Sequence, residues 1–123
     1  MNIDHIGFAI TDFEKSKHFY SKALSPLGLT ILDEGDNWAM IGKEKCDLWF
    51  GVIENENPKP IHIAFVASNR EQVDNFYNAA LEAGATDNGK PDFNPEYGEG
   101  YYAAFVIDLN GHNIEAVYRN PVN

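Results

Sequence analysis

The chain has 123 residues, 44% of them hydrophobic, and a formal net charge of −10. That length supports one domain with a real core, and the hydrophobic share argues against disorder. The acidity excludes nucleic acid as a partner and disfavours an anionic membrane surface, because both would repel the chain.

A single cysteine, Cys46, rules out an intrachain disulfide. The opening stretch, MNIDHIGFAITDFEKSKHF, carries neither a basic leader nor a long apolar run, so no signal peptide or membrane span is expected and the cytoplasm is the expected location.

The first element is an alternating strand over 5–10: Ile6, Phe8 and Ile10 share one face, and His5, Gly7 and Ala9 the other. Thr11-Asp12 signals a helix N-cap, and that helix buries Phe19, Tyr20, Ala23 and Leu24 before Gly28 stops it. His18 on this helix reads as solvated. Strand-like sequence follows near 28–34, 37–42 and 46–53, separated by the turn signals DEGDN and GKEKCD. Cys46 reads as an inert thiol. ENENPKP, residues 54–60, is polar with two prolines and reads as a linker.

After the linker the pattern begins again. HIGFAITDFEKSKHFYSKAL (5–24) aligns with HIAFVASNREQVDNFYNAAL (62–81) at a constant offset of 57, with 8 identities in 20 ungapped positions. This is a duplication, and two copies suggest half-domains that complete each other rather than a solenoid. In the second copy Ile63 and Phe65 take the apolar face, and His62, Ala64 and Val66 the other. Ser68-Asn69 caps a helix that buries Val73, Phe76, Tyr77, Ala80 and Leu81 and ends at Gly84. Arg70, at its start, reads as a surface-pairing residue, with binding of an acid group as the alternative. Residues 84–100 read mostly as loop with at most a short strand, and 91–100, PDFNPEYGEG, which holds Tyr97, reads either as a ligand-contacting segment or as a simple connection or dimer contact. YYAAFVI (101–107) and HNIEAVY (112–118) then form a hairpin across DLNG, so each half reads as βαβββ. His112, just after the turn, is expected either to be exposed or to stabilise the turn. Glu115 stands in the middle of the last strand. Glu is a poor strand former and is rarely buried without compensation, so Glu115 requires a partner.

Three stretches, DHIGFAITDFEKSKHFYSKAL, IHIAFVA and DLNGHNIEAVY, resemble the vicinal oxygen chelate superfamily, which includes glyoxalase I, extradiol dioxygenases, and bleomycin and fosfomycin resistance proteins. The last stretch is close to that family's recurring D-P-[DN]-G-[HN]-x-[IL]-E signature, with Leu109 where Pro is usual. The resemblance implies an α+β, glyoxalase-like fold: two βαβββ modules forming a curved mixed sheet around a cleft. It implies a single domain over 1–123, with module one at 1–53, the linker at 54–60 and module two at 61–119.

By the same resemblance a divalent metal ion (Zn, Fe, Mn, Ni or Co) is expected, with His5, His62 and Glu115 as its ligands. Aligning DLWFGV with NIEAVY sets Trp49 opposite Glu115, where four-ligand relatives carry a fourth ligand. Two imidazoles and one carboxylate suit such an ion and leave positions open for water and substrate. Trp49, Tyr97 and Tyr101 are expected to line the substrate cleft. The resemblance implies a metal-dependent enzyme of lyase or isomerase type acting on a small oxygen-rich substrate, in a homodimer. The alternatives are an extradiol-type dioxygenase and a metal-free small-molecule binding protein of the drug-sequestering kind.

Overall fold

Two four-stranded mixed sheets, each backed by a helix, appear in a computed structural model that describes residues 3–54 and 57–119. The first half contains β1 (Ile6–Ala9), α1 (Phe13–Leu24), a 3₁₀ turn, β2 (Thr30–Glu34), β3 (Trp38–Gly42) and β4 (Cys46–Gly51). The second contains β5 (His62–Val66), α2 (Arg70–Glu82), β6 (Thr86–Phe93), a second 3₁₀ turn, β7 (Tyr101–Ile107) and β8 (Asn113–Arg119). The strand orders are β1-β4-β3-β2 and β5-β8-β7-β6. In each sheet the first and last strands of the half run parallel and the remaining pairs are antiparallel. Among the described residues no strand pairing joins the sheets, so they form two open layers rather than one continuous curved sheet.

The duplication is visible in the register. Gly7 pairs with Trp49 in the first sheet, and Ala64, 57 residues after Gly7, pairs with Glu115 in the second. Both helices start on side-chain caps. Asp12 accepts the N–H of Lys15 at 3.1 Å, and Asn69 accepts that of Gln72 at 2.8 Å. Gln72 closes the second cap by accepting the N–H of Ser68 at 2.7 Å. Gly28 turns the chain out of the first helical segment at φ 81°, a conformation that favours glycine.

One core runs through both halves. Phe8, Phe19, Tyr20, Phe50, Val73, Phe76 and Ile114 belong to it and are buried. Tyr20 packs with Phe8 and Phe50 at ring separations of 5.6 and 5.1 Å. Phe65 and Leu81, expected in this core, are only half-buried against it. The reason for Phe65 is its place on β5, an edge strand of its sheet.

Two expectations need correction. Residues 86–93 form an eight-residue strand, not loop. Its sequence, TDNGKPDF, hides this because Asp, Asn, Gly and Pro are poor strand formers, and its pairing with β7 shifts register on both sides of Gly89. A Cβ on Gly89 would meet Phe105 at 2.9 Å, so a bare backbone is needed there. His112, expected to be exposed or to stabilise the turn, is completely buried, and of the two roles it takes the second. Its Nδ1 accepts the N–H of Ile61 at 3.1 Å, Nε2 donates to the carbonyl of Ala9 at 3.2 Å, and the ring packs edge-on to Phe8. Next to it, Asp108 accepts the Tyr20 hydroxyl and the N–H groups of Asn110 and His112. The DLNG turn is thereby tied to α1, β1 and the start of β5.

Candidate functional site

The inner face of the second sheet is set by strand alternation. On β8, residues 113, 115, 117 and 119 point away from the helices. On β7, Phe105 stands across from Glu115 and Tyr101 across from Arg119. On β5, His62 falls on the same face, next to Asn113 in register. These side chains border a cleft of about 750 Å³. That lies within the roughly 300–1,000 Å³ usual for small-molecule pockets. The Gly89 bulge of β6 and the segment after it, with Asn94 and Tyr97, form the opposite wall.

Glu115 is at the floor of this cleft, with only 2% of its side chain exposed. Its Oε1 lies 2.9 Å from Nε2 of His62, and its Oε2 accepts the hydroxyl of Tyr101. Glu115 therefore faces an imidazole and a phenol, which together offset the cost of burying a carboxylate. His62 is half exposed to the cleft, at 53%. Burial first, and then the bond to the Glu115 carboxylate, push the Tyr101 phenol up to about 12, with Arg119 opposing. Tyr101 therefore remains a hydrogen-bond donor at neutral pH.

Tyr101 also joins the two ends of the site. The guanidinium of Arg119 sits 4.7 Å from its ring centre, and Tyr97 packs edge-on against it at 5.5 Å. Arg70, expected to pair at the surface, lies instead over the rings of Phe93 and Tyr102 at 5.0 and 4.6 Å. Tyr102 in turn donates to Asp74 at 2.6 Å, so the base of the 93–100 segment is fastened to α2.

Within one chain the structure brings together His62, Glu115, Tyr97 and Tyr101. His5 and Trp49 lie elsewhere. His5 borders a second cleft, of about 530 Å³, between β1, β4 and β5. It is 57% exposed and bonds the carboxylate of its neighbour Asp4 at 2.7 Å. Trp49 lies beside Gly7 on the first sheet, 3.4 Å from the position of a Cβ there. The register explains the asymmetry of the histidines. His62 finds Glu115 across the strands, whereas the matching position for His5 holds Trp49. Among the described residues no three His, Cys, Asp or Glu side chains gather as metal ligands do. His62 and Glu115 alone do fit the start of such a site. Ligands about 2.1 Å from one ion at right angles stand about 3.0 Å apart, close to the separation seen here.

Asn113, Phe105 and Arg119 were not singled out from the sequence. Alternation from Glu115 along β8 reaches Asn113 and Arg119 directly. Phe105 requires the hairpin register, which the sequence alone leaves open.

The profile of the Glyoxalase/Bleomycin resistance protein/Dioxygenase superfamily matches residues 2–116. Among solved structures, a glyoxalase/bleomycin resistance protein from Albidiferax ferrireducens T118 is 25% identical, with a TM-score of 0.84 over 95% of this chain and 98% of that one. A putative glyoxalase from Bacillus halodurans is also 25% identical, with a TM-score of 0.76 over 94% of each chain. TioX from Micromonospora sp. ML1 shares the fold at 15% identity, with a TM-score of 0.74 over 98% of this chain and 100% of that one. No curated protein matches.

Proposed function

We propose, from the premise that the chain belongs to the Glyoxalase/Bleomycin resistance protein/Dioxygenase superfamily, that the cleft over β7 and β8 is the working site of a metal-dependent enzyme. Its substrate is a small oxygen-rich molecule, and its reaction is of the lyase or isomerase type. The observation that carries this is the His62–Glu115 pair, a ring nitrogen and a buried carboxylate oxygen 2.9 Å apart at the floor of a ligand-sized cleft.

His62 and Glu115 would hold the ion from the second module. His5 would complete the set when the first module of a second copy lies over this cleft, which is why we read the working unit as a homodimer. The accessibility of His5 supports this, as does the exposure of Val66, at 83%, on the inner face of β5. A bound divalent ion supplies a Lewis acid that polarises a carbonyl or activates water or dioxygen. The chain's own residues do the rest. Tyr101 holds Oε2 of Glu115 and so leaves Oε1 turned toward His62. Phe105 and Tyr97 exclude water from one side of the substrate. A cytoplasmic enzyme is consistent with the absence, among the described residues, of a helix long and apolar enough to cross a membrane.

A second reading has its own observation. Both oxygens of Glu115 already have protein partners, His62 and Tyr101, so the carboxylate is satisfied without an ion. That favours a metal-free small-molecule binding protein. Elemental analysis of the purified protein separates the two, followed by Mn²⁺ titration of wild type and His62→Ala. Bound divalent metal that His62→Ala releases supports the enzyme, and a screen of small carbonyl and catechol compounds then finds the reaction. Wild-type protein that neither carries metal nor takes up Mn²⁺ or Zn²⁺ leaves the binding protein as the function.

A further inference from the structure

The cleft ends in a cation that, among the described residues, no acidic side chain meets. Arg119 is the last residue of β8, on the same face as Glu115. The chain has 19 acidic residues against 9 Lys and Arg. Lys17, Lys22 and Lys45 are paired to Glu34, Glu82 and Asp47 respectively, while among the described residues the other Lys and Arg side chains form no ion pair, and of these Arg119 is the one that borders the cleft. Among the described residues Arg119 forms no ion pair, although it borders the same cleft as Glu115. The one carboxylate that borders that cleft among the described residues, Glu115, is held by His62 and Tyr101, so the cleft-facing guanidinium has a vacant partner position.

We propose that Arg119 binds an anionic oxyacid group, a carboxylate or a phosphate, on a small flat substrate whose reacting oxygen lies at the His62–Glu115 end. The inference rests on reading this cleft as the substrate site. Tyr101 sets the geometry: its ring carries the guanidinium and its hydroxyl reaches Glu115, so the two ends are about one tyrosine side chain apart. The acid group is therefore several bonds from the reacting oxygen. A flat body suits the space because Tyr97 and Phe105 border it with aromatic rings. A guanidinium presents paired N–H donors that match the two oxygens of an oxyacid, and its seat on the Tyr101 ring leaves that edge free. Asn113 adds a buried Oδ1 without a hydrogen-bond partner among the described residues, an acceptor suited to a ligand hydroxyl at the other end.

The test uses the full chain at low salt and reads binding by calorimetry and amide NMR shifts. The probes are 4-hydroxybenzoate, its uncharged methyl ester, and phenyl phosphate. Wild type is expected to bind at least one of the two anions on the order of tenfold more tightly than the ester. The preferred anion identifies the oxyacid. Arg119→Gln removes that preference while leaving ester binding unchanged, and Arg119→Lys restores part of it. A wild type that binds all three probes equally, or an Arg119→Gln protein that keeps the preference, overturns the proposal. Failure of the metal reading appears separately. It is read from the metal content of His62→Ala, whereas the preference for acid over ester is read on any folded variant that retains Arg119.

Discussion

Nε2 of His62 and Oε1 of Glu115 stand 2.9 Å apart on neighbouring parallel strands, although neither residue is the other's register partner. The contact is a diagonal one, made possible because Ala64, the partner of Glu115, leaves space beside it. A carboxylate inside a strand is costly unless compensated, and here a histidine from one side and a tyrosine from the other compensate it.

Tyr101→Phe isolates the second of these. It removes only the hydroxyl and leaves Oε2 of Glu115 buried without a donor. An unpaired buried acceptor costs about 1–3 kcal/mol, more when it is charged. The variant should unfold about 2–3 kcal/mol more easily in urea, whereas Tyr101→Phe combined with Glu115→Gln should recover part of that loss. A single-variant loss below about 0.5 kcal/mol would mean that water reaches Oε2 and that Tyr101 is not its essential partner.

Stability should also fall at high pH. The Tyr101 phenol is pushed up to about 12 by burial and its bond to Glu115. Burial, followed by the Asp108 charge and hydrogen bond, drives Tyr20 well above its ordinary value. Both groups hold their protons more tightly when folded than when unfolded, where the phenol titrates at about 10. The contribution of both is therefore intact below about pH 10; that of Tyr101 is lost as pH rises through about 12, and that of Tyr20 falls in the same direction at high pH. Urea midpoints measured between pH 8 and 12 should be level at first and then decline, and Tyr101→Phe should make the decline shallower. A midpoint that rises above pH 10 contradicts the sign.

Much of this was legible in the sequence because the duplication carries it. The offset of 57 predicted two equivalent strand–helix units, and the register pairs Gly7–Trp49 and Ala64–Glu115 occupy matching positions. Alternation also turned His62 and Glu115 toward one face. What the sequence could not display was distance between elements. His5 and His62 are equivalent by pattern, yet one faces Asp4 and the other Glu115, because the deciding partner lies about fifty residues further on. β6 was hidden by residues that serve a bulge rather than a regular ladder. His112 was placed correctly off the Glu115 face, but the other face proved to be core rather than solvent.

His112 makes the next prediction. Its ring links Ile61, Ala9 and Phe8 across the junction of the halves. His112→Ala leaves the part-buried N–H of Ile61 and the part-buried carbonyl of Ala9 without these partners and opens a ring-sized space. The two lost bonds alone cost about 1–3 kcal/mol each. A destabilisation of about 3 kcal/mol or more is expected from denaturant unfolding, against a much smaller effect for the exposed His18→Ala. Equal effects of the two substitutions would show that the ring does not hold the junction.

The last prediction compares two equivalent-looking phenylalanines. Phe76 lies on α2 and is completely buried, while Phe65 lies on edge strand β5 and is half-buried. Truncating a buried Phe removes its transfer free energy and leaves a cavity that neighbours fill incompletely, about 3–5 kcal/mol in total. Phe76→Ala should fall in that range. Phe65→Ala should cost less, because part of the ring is already in water and the edge strand can relax toward the vacated space. Denaturant unfolding of both variants with an unchanged m-value provides the comparison. A Phe65→Ala loss equal to that of Phe76→Ala would mean that a further surface covers the β5 edge in solution. The second copy invoked for the homodimer is the candidate, and repeating the measurement across a range of protein concentrations decides it. A loss that grows with concentration places the partner on β5, while a loss independent of concentration requires cover from the chain itself.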